Sequence, residues 1–312
     1  MVSGKKFNWK RILTIIITTI FIFCAVSMVA TKLIYDSIFN RYDEPAAVSP
    51  ALSEMVQGRK EHSFPSGENA LTGYYYAVPE GKERHGLIVL APGFHAGADD
   101  YLWQIRELGD FGWGVFTYDT TGTLRSQGKN QIGFPQAISD LEAALKYVEK
   151  QGNFGYNDVV LLGHSRGAYA ACCVLEERDD VAAVVSVSGI NSAMEGIMHM
   201  SSQVVGPVSY GNYGFLWLYQ AMLFGADTLN LQADEVLSKS DVPTLVVHGT
   251  LDSQVPMDSC SIISHREEIT SGQVEYLLCD AGHTDLLYGQ DGTANDALME
   301  DIHHFLLRSI EK

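Results

Sequence analysis

Residues 159–175, which read VVLLGHSRGAYAACCVL, decide the fold. Val159–Leu162 is a short apolar run typical of a buried strand, and Ala168–Leu175 has the composition of a helix. Between them, Gly163–Gly167 matches G-x-S-x-G, in which a sharp turn exposes the serine hydroxyl and the glycines leave room for the neighbouring strand and helix. This position predicts that Ser165 is a nucleophile, and an ordinary structural turn is the alternative.

Strand-like and helix-like segments alternate along most of the chain. The further predicted strands are Tyr74–Val78, Leu87–Ala91, Gly114–Tyr118, Val181–Val187, Thr244–Val247 and Val274–Leu278. Helical periodicity is present in Ile138–Lys150 and in Ala297–Leu307, and Asp296 is a suitable N-cap for the latter. Such alternation predicts an α/β protein with a mostly parallel central sheet and helices on both faces.

A serine hydroxyl is a weak nucleophile and requires a base, which in turn requires an acid to orient it. His283 follows the last predicted strand directly after a glycine, and Asp252 lies in the loop after the preceding strand. The order Ser165, Asp252, His283 is the order that this strand–serine–helix arrangement requires. Asp280 and Asp285 are less suitable, because they lie too close to His283 in sequence. The alternative for Asp252 is an aspartate that caps its own turn.

Together these motifs make the chain resemble the α/β-hydrolases over roughly residues 64–307. More narrowly, it resembles the group that contains the serine aminopeptidases (S33), the monoacylglycerol lipases and the cinnamoyl esterases. The matching pieces, besides the serine motif, are Pro92-Gly93-Phe94, Asp119–Gly128, Gly249–Pro256 and Ala281-Gly282-His283. Leu124 stands where that group usually has glycine, and Pro92 where it usually has histidine.

The resemblance implies an α/β-hydrolase fold, acyl transfer to water without a cofactor, and an oxyanion hole. The oxyanion donors would be the backbone N–H groups of Phe94 and Arg166. The Arg166 side chain would either meet an acidic group of the substrate or form a structural ion pair.

Residues 191–240 interrupt the alternation and are rich in methionine and aromatic residues. We expect a helical cap insertion that lines an apolar pocket, and core packing of an inserted helical pair is the alternative. The side chains predicted to bind substrate are His95, His164, Met194, Met198 and Trp217. Glu195 is the one cap carboxylate considered for holding the amine of a peptide substrate.

The N-terminal region predicts a single-pass membrane anchor. Residues 1–11 are basic and cytoplasmic, residues 12–31 span the bilayer, residues 32–60 form a tether, and residues 61–312 form an external catalytic domain. Ile12–Ala30 contains no charged residue, and Lys5, Lys6, Lys10 and Arg11 precede it. A cleaved signal peptide, with Ala25-Val26-Ser27 as the cleavage site, is the alternative.

The composition limits the classes of binding partner. The formal net charge of −17 argues against a nucleic-acid partner, because nucleic-acid binding requires a basic surface. The five cysteines show no metal-ligand spacing, so no metal site is predicted, and a Cys260–Cys279 disulfide stays open. The expected substrate is a small or medium carboxylic ester with an apolar part. A short peptide substrate and a non-catalytic binding module are the alternatives.

Overall fold

A central sheet of eight strands organises the chain, and the computed structural model describes residues 8–311. The predicted basic residues Lys5 and Lys6, together with Lys312, lie outside the described residues. The strands are β1 (Lys60–Ser66), β2 (Asn69–Tyr76), β3 (Leu87–Ala91), β4 (Gly114–Tyr118), β5 (Val159–His164), β6 (Ala183–Val187), β7 (Thr244–Gly249) and β8 (Val274–Cys279). The predicted α/β class is confirmed, and β1 is the strand that sequence analysis missed.

The strand order is β1-β2-β4-β3-β5-β6-β7-β8, and β3 to β8 run parallel. β1 and β2 pair antiparallel at one edge. The chain places β4 on one side of β3 and β5 on the other, so the strand order reverses between β3 and β5. In open parallel sheets, ligands bind at such a reversal, outside the carboxyl ends of the strands.

Helices cover both faces of the sheet. They are α1 (Trp9–Ile38), α2 (Ser53–Gly58), α3 (Leu102–Asp110), α4 (Gln136–Lys150), α5 (Arg166–Cys173), α6 (Ala193–Val205), α7 (Tyr213–Phe224), α8 (Ala226–Leu229), α9 (Ala233–Lys239) and α10 (Asp296–Ile310). One core lies beneath α4, α5 and α9, and the other beneath α3 and α10. The N-cap of α10 is Asn295, whose side chain accepts from the Leu298 N–H, and not Asp296 as predicted.

The N-terminal helix α1 is long and apolar enough to cross a membrane. Its last turns do not stand free, because Thr31 and Tyr35 are buried against the folded domain. The chain then continues into Phe39, which is fully buried, and Arg41, whose guanidinium donates to the carbonyls of Ser126 and Gly128 at 3.0 and 2.9 Å. The start of the expected tether is therefore packed onto the domain, since an aromatic side chain and several hydrogen bonds secure it there.

Between β6 and β7 the chain forms α6 to α9, in the region expected to be a cap. A 3-10 segment, Gly206–Asn212, joins α6 to α7. The N-terminus of α6 is capped by Ser192, whose hydroxyl accepts from the Glu195 N–H. This insertion stands above the carboxyl ends of the parallel strands and contributes one wall of the cavity described below.

Candidate active site

Ser165 occupies the turn between β5 and α5 with backbone angles of φ 55° and ψ −116°, which a non-glycine residue rarely adopts. The turn is possible because its flanking residues lack side chains. A methyl group on Gly167 would overlap the carbonyl oxygen of Ala91 on β3, and one on Gly163 would overlap that of Gly167. The backbone thus presents the Ser165 side chain to the cavity at the strand reversal.

Asp252 and His283 come together from the loops after β7 and β8. The Nδ1 of His283 lies 2.7 Å from Oδ2 of Asp252, and both side chains are buried. The other carboxylate oxygen accepts from the backbone N–H groups of Gln254 and Val255 at 2.9 and 2.8 Å. Burial alone would raise the pKa of Asp252. The bonds from His283 and Val255 outweigh it and hold that pKa below the ordinary value.

His248 lies beside this pair and remains neutral. Its Nε2–H donates to the Val255 carbonyl at 2.9 Å, and the same nitrogen is 3.6 Å from Asp252. Burial lowers the pKa of His248, although the Val255 carbonyl and Asp252 act in the opposite direction. His248 therefore adds no permanent charge that would compete with His283 for the carboxylate.

A chain of hydrogen bonds links the loop after β3 to the backbone of His283. The N–H of Gly93 donates to the Tyr101 hydroxyl at 2.9 Å, and that hydroxyl lies 3.0 Å from Nδ1 of His164. The Nε2 of His164 is 3.2 Å from the carbonyl oxygen of His283. Burial, with a contribution from His283, lowers the pKa of His164 to about 3, so this relay is uncharged. Tyr101 is a site residue that no sequence motif indicated.

The residues expected to supply the oxyanion hole flank Ser165. Arg166 is the first residue of α5, where a backbone N–H has no acceptor within its own helix. Phe94 follows Gly93 in the loop after β3, and its ring stacks on that of His95 with centroids 3.9 Å apart. Tyr42, from the segment after α1, stacks on the other side of His95 at 4.9 Å. The N-terminal segment thus supports the loop that carries Phe94.

A cavity of about 610 Å3 opens in front of Ser165 and His283. Its walls are mainly apolar and include one carboxylate among the residues that the structure describes, that of Asp100. The lining residues are Gly93, Phe94, His95, Ala96, Asp100, Tyr101, Phe134, His164, Ser165, Ile190, Gly196, His199, Met200, Gln203, Val204, Ser253, Gln254, Val255, His283, Thr284, Leu287 and Tyr288. Its volume lies within the usual range for small-molecule sites.

Comparison with known proteins agrees with this architecture. The family model for serine aminopeptidase, S33, matches residues 82–210. An esterase of Pyrococcus furiosus superposes with a TM-score of 0.64 at 18% identity, over 87% of this chain and 99% of that one. Est1E of Butyrivibrio proteoclasticus, solved with ferulic acid bound, gives 0.62 at 17% identity, over 80% and 100% of the two chains.

A curated relative is the proline iminopeptidase of Saccharolobus solfataricus, which is 28% identical over 130 residues. That match spans 40% of this chain and 40% of the relative. The chain therefore has the α/β-hydrolase fold that the sequence predicted. The proteins to which it is similar include both esterases and a peptidase.

The insertion between β6 and β7 lines the cavity with a face of α6 different from the one predicted. His95 and His164 border the cavity, as expected. Met194 and Met198 are instead buried in the core between α6 and α7, where the Met194 sulfur accepts from Gln220 at 3.0 Å. Trp217 lies away from the cavity and donates to Asn230 at 3.1 Å. These three assignments are corrected by the structure.

Residues 196, 199, 200, 203 and 204 of α6 face the cavity, at helical spacings of three, one, three and one. The sequence could predict that spacing, since neighbours on one helical face recur at intervals of three and four residues. The sequence could not predict which face of α6 meets the cavity, because Met194 and Met198 on the adjoining face are also suited to an apolar pocket.

Arg166 is buried in the core of the domain. Within residues 8–311 no carboxylate lies within 4.0 Å of its guanidinium, so the expected ion pair is absent there. The side chain instead donates to Thr120 at 2.7 Å and Gly93 at 3.4 Å, and lies over the Phe94 ring. Burial lowers the pKa of Arg166. The guanidinium therefore holds the Gly93-Phe94 loop from beneath.

Glu195 does not reach the cavity. Its carboxylate is 3.3 Å from Nε2 of His265, whose Nδ1 lies 2.7 Å from Glu268 and 3.6 Å from Asp234. Burial alone would lower the pKa of His265, but the hydrogen bond to Glu268 and the other carboxylates raise it. The cluster ties α6 to α9 and to the loop after β7, outside the cavity. All five cysteines are free, including Cys260 and Cys279.

The glycines of the turn provide a test of its geometry. We expect Gly167→Ala to destabilise the protein by more than about 2 kcal/mol, because its methyl group meets the fixed backbone of β3. Gly58→Ala is the matched control, since nothing lies within 4 Å of a methyl group there, and its effect should stay within about 1 kcal/mol. Thermal unfolding of the detergent-solubilised chain measures both. Equal melting temperatures for the two variants would contradict the proposed close approach.

Proposed function

We propose that the protein is a membrane-anchored serine hydrolase that cleaves a carboxylic ester with an apolar part. The observation that carries this proposal is the strained Ser165 backbone at the mouth of a cavity that it shares with His283, whose Nδ1 is held by Asp252 at 2.7 Å. A serine in that conformation and a histidine with an ordered tautomer are what acyl transfer requires.

In the proposed reaction, Nε2 of His283 takes the proton of the Ser165 hydroxyl as the oxygen attacks the ester carbonyl. The Nδ1–H of His283 donates to Asp252, which stabilises the imidazolium that forms. The N–H groups of Phe94 and Arg166 bind the developing oxyanion, a contribution of roughly 3 kcal/mol per donor in comparable sites. His283 returns its proton to the leaving alcohol, and then activates the water that hydrolyses the acyl-enzyme.

Peptide hydrolysis is the second candidate, supported by the S33 match and the iminopeptidase relative. An aminopeptidase needs acidic groups for the substrate amine. Glu195 is engaged by His265 outside the cavity, and Asp100 caps its own turn by accepting the Gly97 N–H at 2.8 Å. Burial raises the pKa of Asp100, which weakens it as a counter-charge. The apolar walls therefore favour an ester.

We also propose that α1 is an uncleaved anchor with a cytoplasmic N-terminus. The supporting observation is that α1 continues without a break from its apolar run into the buried Thr31, Tyr35 and Phe39. The basic residues before the run and the positive-inside bias support the external position of the domain.

Substrate class can be tested with p-nitrophenyl esters of increasing chain length and a set of aminoacyl p-nitroanilides. We expect the full-length protein to hydrolyse the esters, and Ser165→Ala to lower kcat by about 10^4-fold or more. Turnover of anilides alone would transfer the assignment to a peptidase. A folded protein without Ser165-dependent turnover or fluorophosphonate labelling would instead indicate a non-catalytic binding module.

The role of Asp252 can be separated from that of the nearby Asp280. Asp252→Asn should lower kcat by roughly 10^3- to 10^4-fold, because the amide no longer selects the Nδ1–H tautomer of His283. Asp280→Asn, which alters a contact to Thr250 at 3.3 Å, should leave kcat within about twofold. Since the pKa of Asp252 lies below its ordinary value, its ionised form persists at all pH values above about 4. Similar kcat losses in both variants would exclude this assignment.

The anchor can be tested by washing membranes with alkaline carbonate. The full-length chain should stay in the membrane pellet, because the apolar run of α1 is long enough to cross the hydrocarbon core. Quantitative release of a chain shortened by its first residues would show that a signal peptide is cleaved instead.

A further inference from the structure

The cap carries an uncharged surface that is unusual for this chain. Residues 196–226 contain no Asp, Glu, Lys or Arg over 31 positions, although these types make up 19% of the whole sequence. We call the exposed apolar side chains of this stretch the cap face. They are Val204, Val205, Val208, Tyr210, Tyr213, Leu218, Met222 and Leu223. An exposed apolar surface of this kind on a strongly acidic protein marks an interaction site.

The cap face adjoins α1, because α7 packs along the C-terminal half of that helix. The rings of Phe215 and Phe23 meet edge to face at 6.2 Å. Closer to the C-terminus of α1, Asn212 donates to Thr31 at 2.7 Å and Tyr219 donates to Asp36 at 2.9 Å. The position of the cap relative to the anchor is therefore set by contacts on both sides of Thr31.

The length of the apolar run then places the cap relative to the bilayer. Residues 12–30 number 19, and at about 1.5 Å per residue they extend over roughly 28 Å, which is nearly the full thickness of a hydrocarbon core. The run must therefore be immersed along its whole length. Phe23 lies seven residues before its end, about 10 Å inside the membrane, and Phe215 contacts it at that depth.

We propose that the cap face is immersed in the leaflet on the side of the catalytic domain, and that the cavity takes its substrate, an acyl ester dissolved in the bilayer, from that leaflet. The delivery of substrate from the leaflet rests on the proposed function. Val204 connects the cap face with the cavity, because its side chain is 68% exposed on the cap face and also lines the cavity. An acyl chain can therefore pass from the lipid to Ser165 beside this side chain.

Lipid is favoured over a second copy of the chain as the occupant of the cap face. The cap face lies beside α1 at the depth of the membrane. It therefore contacts lipid acyl chains without any association between two copies of the chain. The net charge of −17 also opposes close approach of two copies and of the acidic surface to anionic headgroups. An uncharged face is the part of such a protein that approaches the bilayer without this repulsion.

Immersion can be measured without any catalytic activity. The full-length protein is reconstituted into phosphatidylcholine nanodiscs with and without bromine on the acyl chains, and Tyr210→Trp is compared with Tyr276→Trp. Tyr210 lies on the cap face and Tyr276 on the exposed side of β8. After subtraction of the wild-type signal, we expect bromolipid to quench the tryptophan at 210 and not the one at 276. The proposal would be overturned if bromolipid does not quench the tryptophan at 210. It would be overturned in the same way if that position is not quenched and instead cross-links to a second copy of the chain.

Delivery from the bilayer is tested with two substrates that release the same fluorophore. In nanodiscs, Met222→Glu should lower turnover of 4-methylumbelliferyl oleate by at least about tenfold, because a carboxylate resists immersion. Turnover of the water-soluble butyrate ester should stay within about twofold. Leu278→Glu, which changes an apolar and exposed position on β8, should change neither rate.

An equal loss on both esters, or no loss on the oleate, would contradict delivery through the cap face. If neither ester is hydrolysed in a Ser165-dependent way, the proposed function fails, while the quenching result still decides whether the cap face is immersed.

Discussion

The close backbone approach between β5, α5 and β3 is the constraint on which the rest of the site depends. Ser165 can adopt φ 55° only because Gly163 and Gly167 leave space for neighbouring carbonyls, including that of Ala91. The turn lies at the reversal of strand order, beside the ends of β3 and β6. Because those strands run parallel, their following loops all reach the same edge of the sheet, and the oxyanion, acid and base residues proposed here come from them.

Electrostatics around the proposed base follow from what is buried and what remains charged. His164 and His248 are both kept neutral by burial, so Asp252 has one histidine, His283, with which to share a short hydrogen bond. The carbonyl of His283 lies within hydrogen-bonding distance of His164 and accepts from Ser188, which holds its backbone. A network of neutral groups thus orients the proposed base without placing a further charge beside it.

The N-terminal helix is part of the site's construction as well as the proposed anchor. Phe39 packs edge to face on Phe94 at 5.3 Å, and Tyr42 stacks on His95. The helix α1 itself packs against α7 and hence against the cap. The loop that carries Phe94 and the wall that carries Val204 are therefore both positioned by the proposed anchor and the residues directly after it. In the proposed arrangement, the orientation of the cavity is coupled to that of the bilayer.

Local pattern in the sequence was enough for the class of fold, for seven of the eight strands in outline, and for the identity of Ser165, Asp252 and His283 as candidates. These features depend on residues that are neighbours in the sequence, as in the strand–turn–helix motif around Ser165. The tertiary structure alone decided which face of α6 meets the cavity, because Met194 and Met198 are as apolar as the residues beside them. It also decided that Tyr101 joins Gly93 to His164, that Arg166 is buried without a carboxylate partner in the described chain, and that residues 39–43 pack on the domain. These features arise from contacts between residues that lie far apart in the sequence. The geometry of such contacts depends on how whole helices and strands pack together, and no short sequence pattern encodes it.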